Sequence, residues 1–149
     1  MNRRSTSRAL RRLRLTTVLF AILAISTAGV AADKPAKPKL SLRASPSVSF
    51  SPARIFLVVE IKGGPNDFEE FYCATAEWDW GDGTTSESSY DCEPYEAGKS
   101  EMRRRYSTEH KYLTSGYYQI QFRLKKKNKP VALVHTVVQI RPGLRDIGQ

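Results

Sequence analysis

Apolar and polar residues alternate with a period of two along the segment 54–62, "RIFLVVEIK". Successive side chains of a β-strand point to opposite faces, so this period predicts a strand that buries one face. The same period in 117–124 and 131–140 predicts two more such strands. The residues expected to face inward are Ile55, Leu57, Val59, Ile61, Tyr118, Ile120, Phe122, Leu124, Ala132, Val134, Val138 and Ile140. Because no segment shows helical periodicity, we expect an all-β fold.

Turn-forming and polar segments separate these strands. We predict a further strand over 71–80, with Tyr72, Ala74, Ala76, Trp78 and Trp80 inward and Cys73 outward. Short alternating segments occupy 40–50, a long polar loop with one short strand at most occupies 84–101, and 102–107 is interpreted as a further candidate strand. Residues 108–116 are interpreted as a corner and 125–130 as a hairpin turn. Six or seven short strands separated by turns are typical of a β-sandwich.

The N-terminal segment has the three parts of a secretory signal peptide. Residues 1–14 carry six arginines and no acidic residue, an apolar run covers 18–25, and small residues end the segment at Ala32. We therefore predict cleavage after Ala32 and a secreted or periplasmic protein, with no stable membrane insertion of the mature chain. The alternative is a membrane anchor formed by an uncleaved signal. The apolar run is short for a span, which needs about 20 residues.

Removal of the predicted signal peptide changes how the net charge of the chain is interpreted. The whole chain has a net charge of +9, and without residues 1–32 it has 18 basic and 15 acidic residues, which is +3. The basic balance is largely an export feature and does not indicate nucleic-acid binding. Residues 33–39 alternate lysine with proline and are expected to form an extended linker.

The chain has two cysteines, Cys73 and Cys92. In an exported protein an even cysteine count favours a disulfide, and two cysteines allow one pairing. The alternating pattern places Cys73 on the outer face, so we expect the bridge to hold the polar loop against the outside of the sheet. A β-bulge would reverse that phase.

The sequence "WDWGDG" covers 78–83, "HKY" covers 110–112, and "GYYQIQFRL" covers 116–124. Over residues 40 to 140 this combination resembles the polycystic kidney disease (PKD) domain family. The resemblance implies an immunoglobulin-like β-sandwich of about seven strands, a domain over 40–142 and a C-terminal tail over 143–149. The distance from the GDG turn to His110 is longer than is usual for the family, and the additional residues include Cys92.

The motif is interpreted as structural. Alternation directs Asp79 outward and directs Trp78 and Trp80 into the core. Each indole buries a large apolar area there. Gly81 and Gly83 permit a tight turn that the carboxylate of Asp82 can hold. His110 opens the corner, and Tyr118 follows Gly116 into the next strand. We expect Tyr112, just before Gly116, to form a tyrosine corner with nearby backbone.

Catalytic and metal chemistry find little support. An EF-hand loop starting at Asp79 would need oxygen ligands where Gly81 and Gly83 stand, although a looser calcium site of Asp79, Asp82 and Glu87 stays open. No GxSxG motif is present, and neither His110 nor His135 is linked by sequence to a nucleophile. Glu69 and Glu70 are neighbours on a turn rather than acids that face each other across a cleft. We therefore predict neither an enzyme nor a cofactor.

Two basic groups remain. They are Arg103, Arg104 and Arg105, and Lys125, Lys126, Lys127 and Lys129. They are interpreted either as solvated residues that discourage edge pairing or as a patch for an anionic ligand. The lysine run has no aromatic neighbours, which disfavours nucleic acid.

The resemblance implies a non-catalytic interaction module that contacts another extracytoplasmic protein or itself. The alternative is a domain that binds carbohydrate or an anionic envelope polymer. An exposed row of aromatic residues would favour that alternative, and the candidates are Phe56, Tyr90, Tyr95 and Tyr117.

Overall fold

A computed structural model describes residues 36–144, and all statements about the structure concern this part of the chain. The predicted signal peptide over 1–32, its cleavage site and residues 145–149 of the predicted tail lie outside it. The described residues form eight strands and no helix. The strands are β1 (Lys39–Ser45), β2 (Val48–Phe50), β3 (Ala53–Lys62), β4 (Thr75–Asp79), β5 (Thr85–Ser88), β6 (Arg105–Tyr112), β7 (Gly116–Lys126) and β8 (Lys129–Arg141).

The strands build two sheets. The three-stranded sheet has the order β1-β3-β6, and the five-stranded sheet has the order β2-β8-β7-β4-β5. All neighbours are antiparallel except β2, which runs parallel to β8. Two packed sheets of this kind are an immunoglobulin-like sandwich, so the predicted fold class is confirmed. Within residues 36–144 no helix is long and apolar enough to cross a membrane.

The core lies between the inner faces of the two sheets. In β3 every second residue is buried, and the predicted inward residues of β7 and β8 contribute from the other sheet. The most deeply buried side chains are Ile55, Leu57, Val59, Phe71, Tyr112, Ile120, Phe122, Leu124, Val138 and Ile140. The period of two therefore selected the correct face of each long strand.

The predicted strand over 71–80 is wrong in its first half, because β4 begins at Thr75. The amides of Phe71 and Tyr72 both donate to the carbonyl of Phe68, which closes a turn, and Cys73 has a φ of 52°. Phe71 is therefore buried and Tyr72 is only partly buried, the reverse of the predicted phase.

The predicted corner over 108–116 is also too long. Strand β6 continues to Tyr112, and only residues 113–115 connect it to β7 in the other sheet. Ser107, Glu109 and Lys111 are exposed in β6, which lies at the edge of its sheet. The inward residues of β6 include the polar Thr108 and His110, which weakens its apolar pattern, so the sequence indicated a strand only over 102–107.

The pairing registers place the connections at two opposite ends. One end, called here the cystine end, carries the start of β1, the segments 63–74 and 89–104, and the β7–β8 turn. The other, called the motif end, carries the 80–84 turn, the 113–115 corner and the last residues of β8. The chain thus enters the sandwich at the cystine end and leaves it at the motif end.

Candidate functional site

The aromatic residues of the motif stack inside the sandwich. The Trp78 and Trp80 rings are parallel with centroids 5.5 Å apart, and Trp80 stacks on His110 at 4.4 Å. Trp78 also packs against Phe122 of β7 at 4.6 Å. The two tryptophans are only 5% and 4% exposed. This stack connects β4 to β6 of the other sheet, and Trp78 also lines a cleft between β5 and β6.

The acidic residues of the motif hold the 80–84 turn. One oxygen of Asp82 accepts hydrogen bonds from the Thr84 amide at 3.0 Å and from its hydroxyl at 2.6 Å. The other oxygen lies 2.7 Å from Nε2 of His110 on β6. Burial disfavours the charged carboxylate, but the hydrogen bonds from Thr84 and His110 outweigh it and hold the pKa of Asp82 below its usual value. Asp82 therefore ties the turn to the opposite sheet.

The two turn glycines differ in their surroundings. Both have positive φ angles, 74° at Gly81 and 88° at Gly83, which L side chains rarely adopt. A Cβ on Gly81 would lie 2.6 Å from the backbone oxygen of Gln119, whereas one on Gly83 would meet no atom within 4 Å. Gly81 is thus needed for conformation and space, and Gly83 for conformation alone.

The tyrosine corner is formed by Tyr118 and not by Tyr112. The Tyr118 hydroxyl donates at 2.9 Å to the carbonyl of Thr114, four residues upstream in the corner that joins β6 to β7. The Tyr112 hydroxyl instead donates at 2.8 Å to the carbonyl of Trp80, and the bond is buried. Burial raises the pKa of Tyr112, so this hydroxyl stays protonated and remains a donor.

The three carboxylates of the looser calcium hypothesis do not converge. Asp82 faces His110, Asp79 lies 3.5 Å from the guanidinium of Arg123, and Glu87 accepts from Lys125 at 2.9 Å. Among residues 36–144 no group of three His, Cys, Asp or Glu side chains is arranged to hold a metal ion.

Several of the predicted basic residues are used inside the domain. The guanidinium of Arg104 donates to the carbonyls of Ile61, Gly63 and Gly64 and to the side chain of Asn66, and so fixes the turn after β3. Lys125 is held between Glu77 and Glu87, whose hydrogen bonds raise its pKa. These two side chains are therefore poorly available to an external anion.

The remaining basic residues differ in their contacts. Lys126 donates to the carbonyls of Glu69 and Tyr72, and Arg105 lies 3.9 Å from Glu60. Arg103 stacks over the rings of Tyr90 and Tyr106. Lys127 and Lys129 are exposed at the β7–β8 turn.

The predicted disulfide between Cys73 and Cys92 is present and lies at the cystine end. Cys73 points out of the core because it sits in the turn before β4, and not because of the strand phase that we assumed. Two tyrosine hydroxyls hold the same loop, since Tyr72 donates to Glu93 and Tyr95 donates to Asp67. Tyr95 is thus part of the loop anchorage.

The outer face of the five-stranded sheet is divided into two halves. Strands β7 and β8 and the short β2 expose Val48, Tyr117, Leu133 and Val137, which are 46%, 74%, 52% and 53% accessible. We call these four residues the apolar half. The charged half on β4, β5 and β7 is a network in which Arg123 and Lys125 both contact Glu77 at 2.7 Å.

Sequence reasoning missed Leu133 and Val137. They belong to the run 131–140, in which apolar residues occupy both faces of the predicted strand. A strand with one solvated face should carry polar residues on that face. The apolar residues on the outer face of 131–140 were therefore the available indication of an exposed apolar surface.

A cleft of about 250 Å³ opens between the edge strands β5 and β6. Tyr106, Ser107 and Thr108 line it from β6, and Ser86, Glu87 and Ser88 line it from β5. Tyr90 and Arg103, which the sequence singled out separately, meet here with their ring and guanidinium groups 4.9 Å apart. Burial raises the pKa of Tyr106 to about 12.

No family model matches the chain, and no curated protein matches it. Solved structures do. The PKD domain of an M14-like peptidase from a Thermoplasmatales archaeon is 14% identical with a TM-score of 0.48, covering 72% of this chain and 97% of that one. A CARDB domain from Pyrococcus furiosus, solved with di-metal ions, is 11% identical with a TM-score of 0.44, covering 73% and 96%. The described residues have an all-β fold of two packed sheets.

Proposed function

We propose that this protein is a non-catalytic interaction module that works outside the cytoplasm and binds a partner protein through the apolar half. The observation that carries the proposal is the exposure of Val48, Tyr117, Leu133 and Val137 on one uncovered sheet face. Exposed apolar side chains on one sheet face are typical of interaction sites, and the interspersed His135 and Gln139 together with the adjoining charged half supply the polar groups that protein interfaces also have.

The chemistry of this face favours a protein over a polymer. Three of its four apolar residues are aliphatic, and aliphatic side chains offer no flat ring on which a sugar can stack. An anionic polymer would need several free basic groups; Arg104 and Lys125 are engaged within the domain, which leaves Lys127 and Lys129 as the exposed members of the lysine run. The carbohydrate or envelope-polymer alternative therefore has weaker support than protein binding.

The disulfide supports a location outside the cytoplasm. Such bonds persist in oxidising compartments and are rare in the reducing cytosol. The Cys73–Cys92 bridge thus agrees with the export predicted from residues 1–32.

Matched variants test the proposal. Val137→Glu places a charge on the apolar half, and Phe56→Glu places the same charge on the outer face of the other sheet, where Phe56 is also 53% exposed. Each protein is immobilised, incubated with an extracytoplasmic extract of its host, and the bound proteins are identified by mass spectrometry. We expect a protein captured by the wild type and by the Phe56 variant to be lost with the Val137 variant.

A glycan array and a panel of anionic polymers are probed with the same three proteins. Binding there that survives Val137→Glu, without any protein lost by this variant, would contradict the proposal and favour the polymer alternative. Equal melting temperatures of the three proteins establish that the substitutions changed the surface and not the fold.

A further inference from the structure

The two sheets differ in width on the side where β5 and β6 form their edges. Strand β6 lies over the end of β4, because the Tyr112 hydroxyl bonds the Trp80 carbonyl and His110 stacks on the Trp80 ring. Strand β5 is the next strand beyond β4, and all four of its residues are exposed. No described strand of the three-stranded sheet lies over β5, so a position for one further strand is open beside β6.

The backbone of β6 presents unpaired groups to this position. In an antiparallel pair, alternate residues exchange both hydrogen bonds with the neighbouring strand, and the residues between them point their amides and carbonyls away. The Ile61 amide donates to the Arg104 carbonyl at 2.8 Å, so by the same register Tyr106 and Thr108 also bond β3. The amide and carbonyl of Ser107 therefore point away from β3 and into the cleft that Ser107 lines.

The inner face of β5 forms the floor of this cleft. Ser86 pairs with the buried Trp78, so its side chain lies on the inner face, whereas Glu87 pairs with Glu77 on the outer face and binds Lys125 there. The cleft has a volume of about 250 Å³. A second folded domain does not fit, because its own neighbouring strands would meet β5. One extended segment does fit.

Arg103 closes the end of the cleft nearest the start of β6. Its Nε donates at 3.0 Å to the carbonyl of Arg105, which points away from β3 as that of Ser107 does. Its guanidinium stacks over the rings of Tyr90 and Tyr106 at 4.9 and 5.3 Å. An added strand can therefore pair with Ser107, but it finds the next carbonyl along the edge already occupied.

The guanidinium of Arg103 is the charge that a ligand in the cleft would meet. Its Nη1 and Nη2 atoms donate to no residue within 36–144, and no carboxylate of this part of the chain lies within 4.0 Å of it. The carboxylate of Glu87 is neutralised by Lys125 on the outer face. A planar guanidinium binds a carboxylate through two parallel hydrogen bonds. The free charge and the closed end together favour a carboxylate at the terminus of an extended chain.

We infer that the cleft between β5 and β6 binds the C-terminal segment of a partner protein as an added strand. The segment runs antiparallel to β6, exchanges both backbone hydrogen bonds with Ser107, and ends with its free carboxylate on Arg103. Strand addition to an open sheet edge and capture of a terminal carboxylate are both established modes of peptide recognition. The cleft is a different surface from the apolar half, so the inference does not rest on the proposed function.

Short-peptide libraries with free and with amidated C termini are the probe. The chain is expressed with its own N-terminal segment, purified with the native disulfide intact and immobilised, and the dissociation constants of selected peptides are measured by fluorescence polarisation. We expect peptides with a free carboxylate to be selected, and amidation of the tightest one to weaken binding about tenfold. A library without any peptide that binds below about 1 mM overturns the inference. Binding of an amidated peptide that an acidic last side chain restores also contradicts it.

Two pairs of variants locate the site. Arg103→Gln should abolish the preference for a free over an amidated terminus, whereas Lys127→Gln, which removes the same charge from the exposed β7–β8 turn, should keep it. Ser86→Trp fills the floor of the cleft and should prevent binding, whereas Thr85→Trp, on the outer face of the same strand, should not. Equal melting temperatures establish that all four proteins are folded. An Arg103 variant that keeps the full preference contradicts the inference.

Hydrogen exchange followed by NMR tests the backbone pairing without any substitution. The Ser107 amide points away from β3 and should become protected when the selected peptide is added. The Thr108 amide already bonds β3 and should be protected with and without the peptide. N-methylation of the peptide amide that faces Ser107 should abolish binding, whereas N-methylation of the adjacent amide should be tolerated. Unchanged exchange at Ser107 in the presence of a bound peptide overturns the strand addition.

Discussion

The hydroxyl of Tyr112 on β6 donates a buried hydrogen bond of 2.8 Å to the main-chain carbonyl of Trp80, the residue that follows β4. The two residues belong to segments of different sheets and are 32 positions apart. This bond, together with the contact between His110 and Asp82, fastens the motif turn of one sheet to the last residues of β6 in the other.

Tyr112→Phe removes this donor without changing the ring. The Trp80 carbonyl then loses a buried partner, so the free energy of unfolding should fall by about 1–3 kcal/mol. Tyr118→Phe is the matched control, because its hydroxyl bonds Thr114 at an exposed position where water can substitute. Urea denaturation compares the two. A larger loss in the Tyr118 variant would contradict the importance of the buried bond.

Trp78→Ala should destabilise the domain by roughly 3–5 kcal/mol, since truncating a buried aromatic removes its contacts and leaves a cavity. The indole is 5% exposed and packs on Trp80 and Phe122. Tyr117→Ala, at a ring that is 74% exposed, should change stability little. Thermal melting of both variants measures these two changes in stability. A Trp78 variant that melts like the wild type would show that the motif does not support the core.

The two glycines of the motif should respond differently to alanine. Gly83→Ala introduces only the cost of a left-handed alanine, about 1–2 kcal/mol. Gly81→Ala carries the same cost and also places a Cβ 2.6 Å from the backbone of Gln119 on β7, so its loss should be clearly larger. Denaturation of the two single variants measures the difference directly, and equal losses would contradict the contact with β7.

Reduction of the disulfide should loosen the 89–101 segment and leave the core folded. The bridge joins this segment to the turn before β4, and Tyr72 and Tyr95 are its other named attachments. Reduction of the bridge gives the unfolded chain more conformational freedom. In the chain-entropy model this lowers the stability of the folded state by roughly 3 kcal/mol. Hydrogen exchange with and without reductant should show lost protection in 89–101 and continued protection of Tyr117–Leu124. Collapse of protection in both regions would mean that the bridge supports the core.

Stability should fall in acid partly through Asp82. Its folded-state pKa is lowered, so the contribution is complete above the ordinary value of 3.8 and is lost as the pH falls through the lower folded value. Asp82→Asn should therefore flatten the stability profile below about pH 4. Asp91→Asn, at an exposed carboxylate of the polar loop, is the control. If the stability of the wild type and of the Asp82 variant falls equally with decreasing pH, this carboxylate is not a source of the acid sensitivity.

The sequence was sufficient for the parts of the fold that depend on local pattern. Strands β3, β7 and β8 follow from the period of two, and the positive φ angles of Gly81 and Gly83 follow from glycine in a turn. The left-handed conformation of Cys73 did not follow from the sequence, because cysteine has no preference for positive φ angles. The bridge and the turn impose this conformation.

Long-range pairing was the other limit. Arg104 lies in a run of three arginines that resembles a surface patch, yet its guanidinium binds backbone carbonyls about 40 residues earlier in the chain. The sequence predicted Tyr112 as the corner residue, and only the placement of β6 and β7 shows that Tyr118 forms it. Such assignments depend on which strands become neighbours, and that information is not local.

Lys39 and Arg141 mark where the chain enters and leaves the sandwich, and they lie at opposite ends of it. Strand β8 alone has 13 residues, which at about 3.3 Å per residue spans roughly 40 Å. Lys39 and Arg141 are thus separated by about the length of the domain. Polypeptides fused at these two points would leave the sandwich at opposite ends of its strand direction.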